Sequence, residues 1–289
     1  MSNNRVFYAC HAVSIDGAFV RGAQSVGMNT TFDLEPIFQL GQLKKIDTVT
    51  LTPQVELTVS RVLENSNPVL TGTFEQIFED ADHQVCVSIG DDTAPLLVSP
   101  SASIHCTGAG VTGVTYNFPV DGTFTEEITF LGDSKSVGGC SVEADEIEDT
   151  AAQIVPTRQY YQSGAPSLVT NAGNLTNVSI STSPGREFMY KLGSYKSFHS
   201  YVNTPAEVTI EFEVTATSTD QIGWVEASAC AGPTGDAFNP EDISINICGS
   251  TFTMEKCKLS NITYGGGDTG GGNATINFTY VTFNSLTIS

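Results

Sequence analysis

The side chains able to do chemistry are few in this chain and poorly placed to act together. Four histidines, His11, His83, His105 and His199, are scattered over 289 residues. None stands in an HExxH pattern or at the spacing of paired metal ligands. His105 and Cys106 are neighbours, so on a strand their side chains leave from opposite faces and cannot act as a pair. The run Gly265 to Gly272 (GGGDTGGG) has the glycine content of a phosphate cradle. No Lys-Ser/Thr follows it, and the next segment reads as a strand, not as a helix whose N-terminus could hold an anion, so it is read as a hairpin turn. Asp91-Asp92, between Gly90 and Thr93, has turn chemistry, and its neighbours lack the further oxygen ligands that calcium needs. The expectation is a protein that is not an enzyme, with no catalytic residue, no metal site and no cofactor.

Composition narrows the function further. Basic residues number 12 against 32 acidic, a formal charge of -20. Tight nucleic-acid binding rests on Lys and Arg displacing counterions from phosphates, so this balance argues against it, and equally against anionic membranes. It leaves room for a surface past which DNA slides without being held. The seven cysteines (Cys10, Cys86, Cys106, Cys140, Cys230, Cys248, Cys257) are odd in number and contain no CxxC. They read as buried thiols of a reducing compartment, not as a disulfide frame or zinc ligands. No apolar stretch follows Met-Ser-Asn-Asn-Arg-Val, so no signal peptide is expected, and no apolar run of about 18 residues offers a membrane span. Asn-X-Ser/Thr triplets at Asn29, Asn174, Asn177, Asn261, Asn273 and Asn277 are better explained as Asn/Thr-rich strands and turns than as glycosylation sites.

The elements that must carry these residues are mostly strands. Charged residues make up only 15% of the chain, well under the roughly 25% of an average soluble protein, and Gly, Ser, Thr and Asn fill the difference. Alternation with period 2 runs through Val55 to Val62, Val208 to Thr215, Phe124 to Phe130 and Ala274 to Phe283, which predicts antiparallel sheets with one wet face. On the first of these, Arg61 shares the side of Val55, Leu57 and Val59. Helices are short and few. Thr73-Phe-Glu-Gln76 is a capping-box pattern leading into Ile77 and Phe78. Ser183-Pro184 to Leu192-Gly193 carries an N-cap, a first-turn proline and a closing glycine, and predicts a second helix. Asp33 to Gly41 is its weaker twin. Pro53 and Pro205 are read as the entries to the long strands.

That twinning belongs to a longer repeat. Val26 to Pro53 aligns with Val178 to Pro205 without a gap, and eight of the twenty-eight positions are identical, among them Leu40/Leu192, Gly41/Gly193 and Pro53/Pro205. Each half also closes with a strand, a glycine-containing turn and a strand, Val114 to Phe130 and Ile262 to Phe278. A period of about 150 residues suits a duplicated domain and is too long for a solenoid unit. The expected division is 1–150 and 151–289, each half large enough for its own hydrophobic core. Between the halves lies an irregular stretch, 133–174, whose acidic run Glu143, Asp145, Glu146, Glu148 and Asp149 reads as a solvated linker.

Ser25 to Leu43 (SVGMNTTFDLEPIFQLGQL) resembles the opening segment of structural proteins of tailed phages. Tyr116-Asn-Phe-Pro-Val-Asp-Gly-Thr-Phe-Thr-Glu126 with Leu131-Gly-Asp-Ser-Lys135 resembles the hairpin and tail of phage tail tube domains, as Gly185-Arg-Glu187, Leu192-Gly193 and Tyr264 to Thr275 resemble their second half. The resemblance implies a mainly β chain of two tandem tail-tube-like β-sandwich or barrel domains, each with a short helix. It implies a virion tail location after assembly in the host cytoplasm, rings stacked into a hollow conduit, and no specific DNA binding. The implied partners are further copies of the chain, as a pseudo-six-fold trimer or a hexamer, and sheath, baseplate and tail terminator proteins. A lumen lined by acid would repel DNA, and Glu56, Glu211 and Glu213, on the polar faces of the long strands, are its candidate carboxylates. A baseplate hub or tube initiator is the nearest alternative. A host-binding adhesin, for which Trp224 and scattered tyrosines would supply the contact patch, is the alternative from another class.

Overall fold

The computed structural model describes residues 11–63, 68–79, 82–90, 102–140, 142, 155–218, 221–225, 239–247, 249–266 and 273–289. It is mainly β and antiparallel. The first half holds β1 (His11–Ile15), β2 (Ala18–Phe19), β3 (Ala23–Phe38), β4 (Lys45–Val62), β5 (Gly72–Thr73), α1 (Phe74–Phe78), β6 (His83–Ile89), β7 (Ala102–Pro119), β8 (Thr125–Gly132) and β9 (Lys135–Val137). The second holds β10 (Tyr161–Ser163), α2 (Ser167–Ala172), β11 (Asn174–Thr182), β12 (Arg186–Met189), β13 (His199–Val202) and β14 (Glu207–Thr215). After a helical turn at 221–225 come β15 (Glu241–Ile247), β16 (Ser250–Gly265), β17 (Thr275–Phe283) and β18 (Thr287–Ile288).

The pairing pattern is written twice. In the first half β3 pairs β4, β4 pairs β8, β8 pairs β7, β7 pairs β6 and β9, and β6 pairs β1. In the second, β11 pairs β14, β14 pairs β17, β17 pairs β16, β16 pairs β15 and β18, and β15 pairs β10. Registers correspond as well. Val59 pairs Ile128 and Ile128 pairs Val114, while Phe212 pairs Phe278 and Phe278 pairs Ile262. Val114 and Ile262 are therefore equivalent, and with them Tyr116 and Tyr264. Even the bulges recur, at Val111/Gly113 and at Leu259/Asn261. Each bulge lies where a long strand, β7 or β16, leaves a small outer sheet for the larger one, and an extra residue is what lets a strand bend between sheets.

The halves are joined by β7 and β11, which pair antiparallel from Val114↔Thr182 to Pro119↔Asn177. Eight strands thus form one sheet in the order β3-β4-β8-β7-β11-β14-β17-β16, four from each half. One connected cluster of buried side chains spans both halves, beside a small second one of Ala12 and Val142. Across it, the ring of Phe252 from the second half meets Tyr116 at 4.8 Å and Phe118 at 5.5 Å. The expected boundary near residue 150 and the acidic run 143–149 lie outside the described residues.

α1 forms as its sequence predicts. The Thr73 side chain accepts from the Gln76 N–H while the Gln76 side chain accepts from the Thr73 N–H. The two other expected helices are strands instead. Asp33 to Phe38 continues β3, and Arg186–Met189 is β12, paired with β13. Their backbone groups find partners across a hairpin, which satisfies them better than one isolated helical turn could. Gly41 (φ 86°) and Gly193 (φ 87°) do need the left-handed region, but at hairpin tips, not at helix ends. Leu40 and Leu192 beside them are fully exposed. Pro53 lies within β4, not at its start, opposite Phe32 and before the pairing with β8 begins at Val55. The expectation that every cysteine is a free thiol is also overturned. Cys86 on β6 is disulfide-bonded to Cys140, and Cys106 and Cys257 are free and buried. The two bonded cysteines are 54 positions apart and come together only because β6 and β9 both dock on β7. Among the described residues no helix is long and apolar enough to cross a membrane.

Candidate assembly edges and a carboxylate-bearing sheet face

Strand alternation gives the eight-stranded sheet one buried and one polar face. Val55, Leu57 and Val59 of β4, Ile128 and Phe130 of β8, Val114 and Tyr116 of β7, and Val208 to Val214 at every second position of β14 point into the core. The opposite face is mostly Ser, Thr, Asn and Gly, with Leu131, Val281 and Phe283 among the apolar exceptions. It also carries Glu56, Glu127, Glu207, Glu211 and Glu213, exposed or half-buried. Lys258, opposite Val281 at the end of β17, stands at its margin. The three carboxylates expected from sequence, Glu56, Glu211 and Glu213, therefore share this single face. Glu127 and Glu207 join them; strict alternation from Phe124 and from Val208 would have placed both.

Charge is buried on the core side as well. Arg61 (5% exposed) and Glu126 (0%) are paired through Nε and Oε2 at 2.5 Å. Glu126 also accepts from the Tyr116 hydroxyl at 2.9 Å and from the Val69 N–H at 3.2 Å. Enclosing a carboxylate away from water is costly unless it is paired and hydrogen-bonded in this way. Burial, and then the neighbouring carboxylate, push the Tyr116 phenol well above its ordinary range. Sequence reading set Arg61 on the correct side but missed Glu126, whose position between Phe124 and Ile128 was the available signal.

The histidines do not converge. His83 Nδ1 lies 2.7 Å from Asp16 Oδ2, and Asp16 also accepts from the Gln84 N–H at 2.8 Å, so the group pins the β1–β2 turn. Among the described residues no group of three or more His, Cys, Asp or Glu side chains is placed to hold a metal ion. Asp91-Asp92 lies outside the described residues. Gly265 and Thr275 pair across β16 and β17, and residues 267–272 of the glycine-rich run lie outside the described residues.

The edges of the eight-stranded sheet carry the information. Among the described residues, β3 has β4 as its one strand partner, and residues 258–265 of β16 have only β17. These two edges are the repeat equivalents of β11 and of β7 at 114–119, which are joined to one another at the junction between halves. Tyr116 at that junction is 0% exposed, whereas its equivalent Tyr264 is 42% exposed. Val178 and Ile180 are buried, whereas their equivalents Val26 and Met28 are half-buried. No protein-family model matches this chain, and no curated protein sequence matches it.

Proposed function

We propose that this chain is a stave of a hollow tube, the tail tube of a tailed phage, and that its two halves, 1–150 and 151–289, are tandem tube domains. The single observation that carries the reading is the β7–β11 junction. The molecule already contains one copy of a contact between two equivalent halves, and among the described residues no further strand pairs with the two other edges of that kind, β3 and residues 258–265 of β16. A second copy would pair its β3 with β16 of the first in the same antiparallel register, Tyr264 opposite Met28 and Ile262 opposite Thr30. Such a contact joins two different edges, so it propagates head to tail and closes into a ring when the rotation allows. It also removes the exposed sheet edges that otherwise invite aggregation.

Eight strands per chain make a trimer of twenty-four, arranged as six near-equivalent fours. At roughly 4.8 Å between strands and a tilt of about 40°, such a barrel has a backbone diameter of about 48 Å, wide enough for a DNA duplex after side chains take their share. The face carrying Glu56, Glu211 and Glu213, joined by Glu127 and Glu207, would line the bore, since the other face is the core. Fixed negative charge there repels phosphates, so DNA passes without being held. Sheath, baseplate and tail terminator proteins are the implied neighbours of such a tube, and the virion tail its place.

Negative-stain microscopy of the purified protein tests the reading. The expected result is rings or tubes with a central hole and three chains per ring. A protein that stays monomeric at every concentration up to its solubility limit would remove the proposal.

A further inference from the structure

The hairpin that extends beyond β11 and β14 is not a free appendage. From Thr182 the chain continues along β7, where the Ser183 hydroxyl donates to Thr112 O at 3.3 Å. Arg186 then reaches between α1 and β7 and donates from Nη2 to the carbonyls of Phe78 and Val111. It fits because position 110 is glycine: a Cβ there would lie 2.2 Å from the guanidinium carbon. Further out, the Ser197 N–H donates to Asp133 just past β8. The second half thus grips the first with an arm.

The first half has the same arm, and among the described residues no contact like those of Arg186 and Ser197 holds it to the chain. By the repeat, Arg186 corresponds to Leu34, Gly110 to Lys258, Val111 to Leu259 and Asp133 to Phe283. Leu34 is 61% exposed and Phe283 57%. The region equivalent to the Arg186 seat is an open groove lined by Lys256, Lys258, Leu259, Val281 and Phe283, among others, with one carboxylate, Glu255, beside the two lysines. We propose that this groove receives the Phe32–Ile37 segment of a second copy of the chain, so that each subunit clasps the next as its own second half clasps its first. The inference rests on the head-to-tail assembly proposed above and specifies where its arm goes.

Size and charge both fit this occupant. Where the internal seat combines a glycine with a long arginine, the external one combines a long lysine with a leucine, so the filled volume is redistributed across the contact. Leu34 would meet Leu259, Val281 and Phe283, an apolar patch otherwise left to water. Asp33 and Glu35, which flank Leu34 on the arm and are exposed, would approach Lys256 and Lys258, exposed on the groove. Complementary charge of this kind sets register and partner choice more than raw affinity.

Mixed cross-linking tests the proposal. Chains carrying Leu34→Cys are combined with chains carrying Lys258→Cys and treated with a bis-maleimide about as long as an arginine side chain. A covalent dimer is expected from the mixture and from neither variant alone, nor from the unaltered chain with its natural thiols. A parallel mixture of Met28→Cys and Tyr264→Cys chains, oxidised directly, reads the sheet edges themselves, because directly opposed residues on paired strands come within disulfide reach. If the edge pair links and the arm pair does not, the clasp is wrong and the ring reading survives. If neither pair links, both fall. Leu34→Cys chains that link among themselves would place the arms against each other, for instance between stacked rings, and would also overturn the clasp.

Discussion

Glu126 shows how much one side chain can hold in a sheet protein of this kind. It accepts from Arg61, Tyr116 and Val69 at once and is wholly enclosed. Glu126→Ala would remove the carboxylate that Arg61, Tyr116 and Val69 share, and the loss expected for breaking such a buried pair is about 3 to 5 kcal/mol. Arg61→Met combined with Glu126→Gln should cost much less, since no guanidinium remains where its carboxylate was removed and the amide oxygen can still accept from Tyr116. Urea unfolding of the three proteins measures this, and equal losses for single and double variants would remove the charge argument. At this scale the sequence was partly legible. Arg61 sits on the apolar side of an alternating strand, which already called for an anion; nothing local said that the anion would be Glu126 and not Glu127 beside it, except the parity counted from Phe124.

At the scale of elements, strands were readable and only one of three expected helices formed. Thr73→Ala removes the hydroxyl that accepts from the Gln76 N–H, and a lost cap of this type costs about 1 kcal/mol. Thermal or urea unfolding should show that loss, with Thr73→Ser close to the parent protein; an unaltered Thr73→Ala protein would mean that packing of Phe74, Ile77 and Phe78 alone holds α1. The capping box was legible because it is entirely local, each partner three residues from the other. The signals at Ser183-Pro184 and Asp33 to Gly41 were local too, yet they misled. Arg186 to Met189 has a partner strand at His199 to Val202, and pairing across a hairpin decides against a helix of one turn. The glycines at 41 and 193 do mark reversals, and a positive φ serves a hairpin tip as well as a helix end.

For the whole molecule, the proposed bore makes a prediction about charge. Tubes assembled from a Glu56→Lys, Glu211→Lys, Glu213→Lys variant should retain duplex DNA that tubes of the parent protein release. Raising salt should free it steeply, because each phosphate neutralised by a lysine releases counterions. Co-sedimentation of a short duplex with the tubes measures this, and equal, negligible binding by both would mean that the carboxylate face does not meet DNA. The duplication, the period-2 strands and the acidic excess were determined by the sequence alone, because identity at a fixed offset, alternation and charge are properties of the order of residues. Only the tertiary structure decided that the two halves share one sheet and one core, that Cys86 meets Cys140, and that five carboxylates lie on one face. Those outcomes depend on which strand edges pair over long separations, and a single strand's pattern leaves that pairing open.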